Sequence, residues 1–188
     1  MNSMKNSAKY LSRHRREIYD RIIRVDHAGE LGADRIYHGQ MFVLRNDPKH
    51  APVIQEMWDQ EKDHLSEFEL QALKYRVRKS FLSPFWSAAG FMLGAGSALL
   101  GPKAAMACTV AVEKVITQHY NDQIRELISD DQKEHNDMIE LLSKFRDDEQ
   151  HHHDTGLKHD AEQAPAYQLL TNVIENTCKL AIKIAEKI

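Results

Sequence analysis

Two short strings in the chain carry the residue types from which a metal centre is built. Glu61-Lys62-Asp63-His64 and Glu149-Gln150-His151-His152 share the spacing Glu-x-x-His. Each copy has one more glutamate upstream: Glu30 lies 31 residues before Glu61, and Glu113 lies 36 before Glu149. On a helix, residues three apart share a face about one turn apart, so each Glu/His pair can reach a single ion. Two such pairs on facing helices, with a single glutamate from each of two others, supply four carboxylates and two imidazoles, the pattern of a two-metal site in a bundle core. Two divalent cations would balance the four carboxylates and leave a neutral buried cluster.

Mixed carboxylate and imidazole ligation with open positions suits iron or manganese. The ligand set has no thiolate, which argues against structural zinc or an iron–sulfur cluster. Three histidines run together at His151-His152-His153. Helical geometry points them in three directions, and only His152 repeats the spacing of Glu61 and His64, so His151 and His153 are read as surface residues. Tyr120, seven after Glu113, lies two turns along the same face, either lining a substrate pocket or packing in the core. A metal-bound histidine gives its other ring N–H to a carboxylate or carbonyl. Asp26, Asp147 and Asp148 are near enough in sequence to serve, and Asp34 and Asp122 are the better candidates. Asp148 also sits four before His152, but its counterpart in the first copy is Gln60, so the repeat gives it no support.

The elements that must carry these residues are helices. Strand signals are almost absent, and Gly and Pro fall mostly at boundaries. Helix one is expected over about 12–45, with Ile23, His27, Glu30, Asp34, Tyr37, Met41 and Leu44 along one line. Gly29, Gly32 and Gly39 within it suggest close approach of a neighbouring helix or ligand. Asp47-Pro48 reads as the N-cap and first-turn proline of a helix running to about Arg78. That helix places Ile54, Met57, Glu61, His64 and Phe68 in one line. A later helix, capped around Asp130 or Asp131 and ending near Gly156, does the same with Met138, Leu142, Phe145, Glu149 and His152. Glutamate and histidine thus occupy core positions, where an uncompensated buried carboxylate is disfavoured by several kcal/mol. The cost calls for a partner, and metal is the obvious one.

Between the two halves, Ser80 to Pro102 holds no charged residue but carries Gly90, Gly94, Gly96 and Gly101. About twenty apolar residues can cross a bilayer, so a spanning helix is one reading. A buried core helix is another. A helix lying against one leaflet, or forming the mouth of a greasy channel, fits the glycines and prolines better. The Gly90-x-x-x-Gly94 spacing allows close helix packing in every case. A further helix from Pro102 to about Ser129 carries Glu113, and an amphipathic one follows Pro165. The total is six, four of them forming the bundle.

The chain of 188 residues, 42% hydrophobic and 28% charged, has the apolar content for one domain. We expect a basic N-terminal segment over 1–19 and a single domain over 20–188. A net charge of −3 gives no basic face for nucleic acid, which is excluded as a partner. Cys108 and Cys178 fall in apolar patterns, are too few for a disulfide framework and read as packing residues in a reducing compartment. The early basic residues, among them Lys5, Lys9, Arg13, Arg15 and Arg16, resemble an organelle transit segment. They also suit a solvated helix start or contact with anionic lipid head groups.

Several strings closely resemble the demethoxyubiquinone hydroxylase family of ubiquinone biosynthesis. They are Arg24-Val25-Asp26-His27-Ala28-Gly29-Glu30, Met57-Trp58-Asp59-Gln60-Glu61-Lys62-Asp63-His64, Leu93-Gly94-Ala95-Gly96-Ser97-Ala98-Leu99-Leu100-Gly101, Ala105-Met106-Ala107-Cys108-Thr109-Val110-Ala111-Val112-Glu113, His159-Asp160-Ala161-Glu162 and Ala164-Pro165-Ala166-Tyr167. The resemblance runs from about residue 20 to the end. It implies an all-α, ferritin-like four-helix bundle with two additional helices and a di-iron site, bound peripherally to the matrix face of the mitochondrial inner membrane. The implied reaction is hydroxylation of a demethoxyubiquinol ring with O₂, using electrons from NADH or from reduced quinone. The implied partners are the polyprenyl quinone, the membrane surface and a lipid-binding protein of the same pathway. The family's ligand positions fall on Glu30, Glu61, His64, Glu113, Glu149 and His152, with no departure. The loop 46–52 and the triple histidine are less typical. Two other readings of the same residues are an iron-storing or peroxide-reducing ferritin relative and a non-enzymatic helical lipid-binding module.

Overall fold

The computed structural model describes residues 11–188, and the early basic residues Lys5 and Lys9 lie outside them. Its helices are α1 (Arg13–Leu44), α2 (Ala51–Tyr75), α3 (Ser83–Leu99), α4 (Pro102–Asp131), α5 (Asn136–Lys158) and α6 (Tyr167–Ala185), with one 3₁₀ turn at Ala161–Gln163. No strand occurs among the described residues.

The chain turns where its short polar residues can satisfy free amides. Ser12 caps α1 by accepting from the Arg15 amide at 3.3 Å. Asp47 accepts from the amides of Lys49 and His50, each at 2.9 Å, and so holds a tight turn in front of α2. The first-turn proline of α2 is therefore Pro52, not Pro48. Its end at Tyr75, short of the expected Arg78, is set by Arg76, whose left-handed backbone at φ 56° sends its amide back to Leu73. Likewise α4 continues through Asp130 to Asp131, which caps the following turn through the Lys133 amide at 3.1 Å, so α5 begins only at Asn136. Gly156 does not end α5. It lies inside the helix where a Cβ would meet Val110 Cγ2 at 2.7 Å, so glycine here lets α4 and α5 approach.

The helices form two antiparallel pairs, α1 with α2 and α4 with α5. Their inward faces stack three layers. Ile22, Ile23, Phe68, Leu127, Leu142 and Phe145 fill one end. Tyr37, Ile54, Met57, Met106 and Val110 fill the other. Between them lies the layer that carries the buried glutamates and histidines. Cys108 is buried and Cys178 half-buried, both as free thiols packed with Ile36 and Ile174.

The uncharged stretch becomes α3, which packs along α1 more extensively than any other helix pair does. A Cβ on Gly39 would meet the Phe91 carbonyl oxygen at 2.3 Å, and one on Gly90 would meet that of Gly32 at 2.6 Å, so the two backbones nearly touch. Gly29, by contrast, faces open space. The outward side of α3 and its flanks is greasy: Phe81 is 82% exposed and Leu99 76%, with Phe85, Met92 and Leu100 exposed beside them. No helix among the described residues is long and apolar enough to cross a membrane. The segment is thus half core helix, through its glycines, and half exposed apolar surface.

Candidate metal centre

Each of the four bundle helices brings its site residues to the same middle layer because they continue its apolar stripe. Glu30 stands seven residues beyond Ile23, Glu61 seven before Phe68, and Glu149 seven after Leu142, two helical turns in every case. All six expected ligands are buried. His64 Nδ1 lies 3.0 Å from Glu149 Oε1, 3.6 Å from Glu30 Oε2 and 4.0 Å from Glu61 Oε2. His152 Nδ1 lies 3.0 Å from Glu61 Oε1 and 3.1 Å from Glu149 Oε2. Two quartets result, Glu30/Glu61/His64/Glu149 and Glu61/Glu113/Glu149/His152, each with ligand atoms within 4.8 Å of one another. Glu61 and Glu149 belong to both.

The donor set fits cations on its own chemistry. Glu30 Oε2, both oxygens of Glu61, Glu113 Oε2, Glu149 Oε1 and His64 Nδ1 are buried without a well-formed hydrogen bond, all aimed into one space. Polar atoms are rarely left so inside a protein. Burial, reinforced by the Glu149 charge, pushes Glu61 and Glu113 well above the ordinary carboxylate range. Burial also raises Glu30. For the histidines burial acts downward, but the close approach of each ring Nδ1 to the carboxylates of Glu149 and its neighbours wins and lifts His64 to about 12 and His152 to about 11. The cluster thus scavenges positive charge, and cations would supply it by displacing protons.

An outer ring of contacts holds these ligands, and it crosses from one half of the chain to the other. Tyr37 donates to Glu113 at 2.7 Å, while Tyr120 donates to Glu30. His64 Nε2 meets Asp148 Oδ2 at 3.2 Å, while His152 Nε2 meets Gln60 Oε1 at 2.6 Å. Gln40 reaches Thr109 at 3.3 Å, while Gln123 reaches Asp26 at 2.7 Å. The partners occupy matching positions: Glu30, Tyr37 and Gln40 repeat at the same intervals as Glu113, Tyr120 and Gln123. That longer repeat, Glu-x₆-Tyr-x₂-Gln, was the signal by which Tyr37, Gln40 and Gln123 could have been found.

Other expectations change. Tyr120 packs in the core and also donates a hydrogen bond to Glu30. Asp148, which the repeat did not support, reaches a candidate ligand after all, because the bond runs between the halves and not within its own. Asp34 is buried but is held by Trp58 Nε1 at 2.7 Å and by Arg35 at 3.1 Å. Asp122 is a surface acid paired with Arg125 at 2.9 Å, since nine residues from Glu113 is two and a half turns and places it on the opposite face. Asp147 is exposed beside Arg146, and Asp26 faces Gln123 and His119. His151 is exposed, and His153 pairs with its neighbour Asp154 at 3.0 Å.

Two antiparallel helix pairs enclosing a buried layer of four glutamates and two histidines define a ferritin-like helical bundle with a cluster suited to metal. Within that class, the chain belongs to the family described as ubiquinone biosynthesis protein COQ7, whose profile matches residues 17–185. It is 54% identical over 97% of its length to the bovine (Bos taurus) "NADPH-dependent 3-demethoxyubiquinone 3-hydroxylase, mitochondrial", covering 84% of that protein. It is 48% identical to the Saccharomyces cerevisiae "5-demethoxyubiquinone hydroxylase, mitochondrial", over 90% of this chain and 78% of the other. With the Rhodospirillum rubrum "3-demethoxyubiquinol 3-hydroxylase" it shares 44% identity over 91% of this chain and 79% of the other.

Proposed function

We propose that the chain is a di-iron monooxygenase that hydroxylates the ring of a demethoxyubiquinol with O₂, a late step of ubiquinone biosynthesis, with residues 20–188 acting as one domain. The observation that carries the reading is the complete set of six ligand side chains converging in one buried layer. Glu30, Glu61, His64, Glu113, Glu149 and His152 are the metal ligands. Glu61 and Glu149, common to both quartets, would serve both metal positions, and Glu30 and Glu113, each in a single quartet, would serve one apiece. Bound iron would supply the activation of O₂, the hard chemistry no side chain can do. The chain's part is to orient the ligands and exclude water. Tyr37 fixes Glu113 and Tyr120 fixes Glu30 by their hydroxyls, and the apolar layers above and below keep the centre dry.

The names of the mammalian relatives specify NADPH as reductant, in place of the NADH or reduced quinone expected from the resemblance. A preparation loaded anaerobically with Fe(II), then given demethoxyubiquinone, NADPH and ¹⁸O₂, is expected to yield a quinone heavier by one labelled oxygen. Metal-loaded protein that forms no such product with NADPH, NADH or pre-reduced quinol would refute the hydroxylase reading.

A polyprenyl quinone lives in a bilayer, so the enzyme must touch one. The exposed apolar side chains of α3 serve as that contact, beside the outward face of α6 with Leu169, Val173 and Leu180. Trp86 of α3 and Ile182 of α6 pack on the same Val25 and Ala28, which sets the two faces side by side. This apolar exterior favours a lipid-facing hydroxylase over a storage ferritin. We place it peripherally on the matrix side of the mitochondrial inner membrane, working with a lipid-binding protein of the pathway. The double substitution Phe81→Glu and Leu99→Glu removes two large apolar anchors, each worth about 1.5–3 kcal/mol when buried. Liposome co-sedimentation is expected to fall by at least about tenfold, with turnover of a short-tailed quinol in detergent retained. Unchanged co-sedimentation would move the membrane contact elsewhere.

A further inference from the structure

The outer ring repeats between the two halves of the chain at every position that hydrogen-bonds a ligand, except one. The two tyrosines match, Tyr37 donating to Glu113 and Tyr120 to Glu30. The two histidines match, each turning Nδ1 toward the carboxylates and Nε2 outward. What receives the Nε2 proton does not match: a carboxylate, Asp148, for His64, and a neutral amide, Gln60, for His152. Gln60 and Asp148 hold equivalent places, each preceding its Glu-x-x-His glutamate and reaching across to the other helix pair.

We infer that the two metal positions are inequivalent: the position at His64 binds a divalent cation more tightly and fills first, because Asp148 backs its histidine with charge, while the position at His152 fills second. The inference rests on the di-metal reading above. An imidazole whose N–H is held by a carboxylate is a more basic donor than one held by an amide, and the carboxylate adds a negative charge close to the cation. Gln60 orients the ring of His152 equally well, its oxygen 2.6 Å away, but brings no charge. A second mismatch, Asp26 against Thr109, touches no ligand, and Asp26 has its own partners in Gln123 at 2.7 Å and His119 at 3.4 Å. Asp148 therefore decides. Its side chain is 34% exposed, so solvent screens part of its charge. The difference belongs at the lower end of the 10–100-fold that such outer contacts contribute to affinity, about tenfold.

The full-length metal-free protein titrated with Mn(II), with free Mn(II) read by its electron paramagnetic resonance signal, tests this without any turnover. Wild type is expected to bind two ions in two steps about tenfold apart. His64→Ala should remove the tighter step and His152→Ala the weaker. Asp148→Asn should weaken the tight step about tenfold and leave the second in place. Gln60→Glu should tighten the second step toward the first, a gain that a merely structural role for this residue would not produce. Two equal steps in wild type, or an Asp148→Asn variant of unchanged helicity in which both steps weaken alike, would overturn the inference. Absence of any bound Mn(II) in wild type would instead remove the metal-centre reading beneath it.

Discussion

Glu61→Gln is expected to cost the protein both metal ions and nearly all of its activity, while leaving the metal-free fold at least as stable as before. Glu61 belongs to both ligand quartets, so one substitution removes a donor from each position. Glu30 belongs to one quartet only, so Glu30→Gln should weaken the His64 position and spare the other. Losing the metal forfeits the several kcal/mol that such a centre supplies to a transition state, so product formation should drop by at least about 10³-fold. Stability runs the other way. In the metal-free protein the Glu61 carboxylate is buried among other carboxylates, and its affinity for a proton is pushed up first by burial and then by Glu149. A glutamine keeps the shape and removes that repulsion. The melting temperature of metal-free Glu61→Gln should therefore equal or exceed that of metal-free wild type, and the rise that metal gives wild type should vanish. A variant that keeps two ions per chain would show that Glu61 is not shared by the two positions. One that melts well below metal-free wild type would make Glu61 a structural residue instead.

The opposite signs explain why the centre could be read from the chain while its surroundings could not. Glutamate and histidine at leucine positions violate the core pattern of their own helices, so Glu30, Glu61, His64, Glu113, Glu149 and His152 stand out without coordinates. The surrounding hydrogen bonds violate nothing. A tyrosine two turns from a glutamate, as Tyr37 is from Glu30, is ordinary core by local pattern. Its meaning comes from Glu113 on another helix, 76 residues away. The internal repeat gives Asp148 no support and Gln60 no role for the same reason, since each serves the histidine of the other half. The misplaced helix starts have a local cause. Asp47 and Asp131 carry good capping chemistry, but each caps a tight turn ahead of the helix, and nothing in their identities tells the two uses apart.

Gly94→Ala should be as damaging to the fold as Glu61→Gln is to the chemistry. A Cβ at Gly94 would sit 1.9 Å from the Ile36 carbonyl oxygen, 2.7 Å from its carbon and 2.9 Å from its Cα. All three are backbone atoms of α1, so no side chain can swing aside. Relief requires α3 to lift away from α1 by more than an ångström, which opens the contacts of Gly39 with Phe91 and of Gly90 with Gly32 as well. Overpacking of this kind costs about 3 kcal/mol, or roughly 6–12 °C of melting temperature in a chain of this size. Gly96 lies on the same helix with nothing within 4 Å of its Cβ position. There alanine only removes glycine's conformational freedom, so Gly96→Ala should stabilise by about 0.5–1 kcal/mol. The contrast in sign between two glycines separated by one residue tests the packing itself, since helix propensity alone predicts a gain at both. Because α3 also carries Phe85 and Met92 on its outer side, with Phe81 just ahead of it, a lifted helix should impair turnover of a long-tailed quinol in liposomes more than of a short-tailed one in detergent. Equal melting temperatures for the two variants would mean that α3 does not rest on α1 through Gly94, and the apolar face would then lack its support.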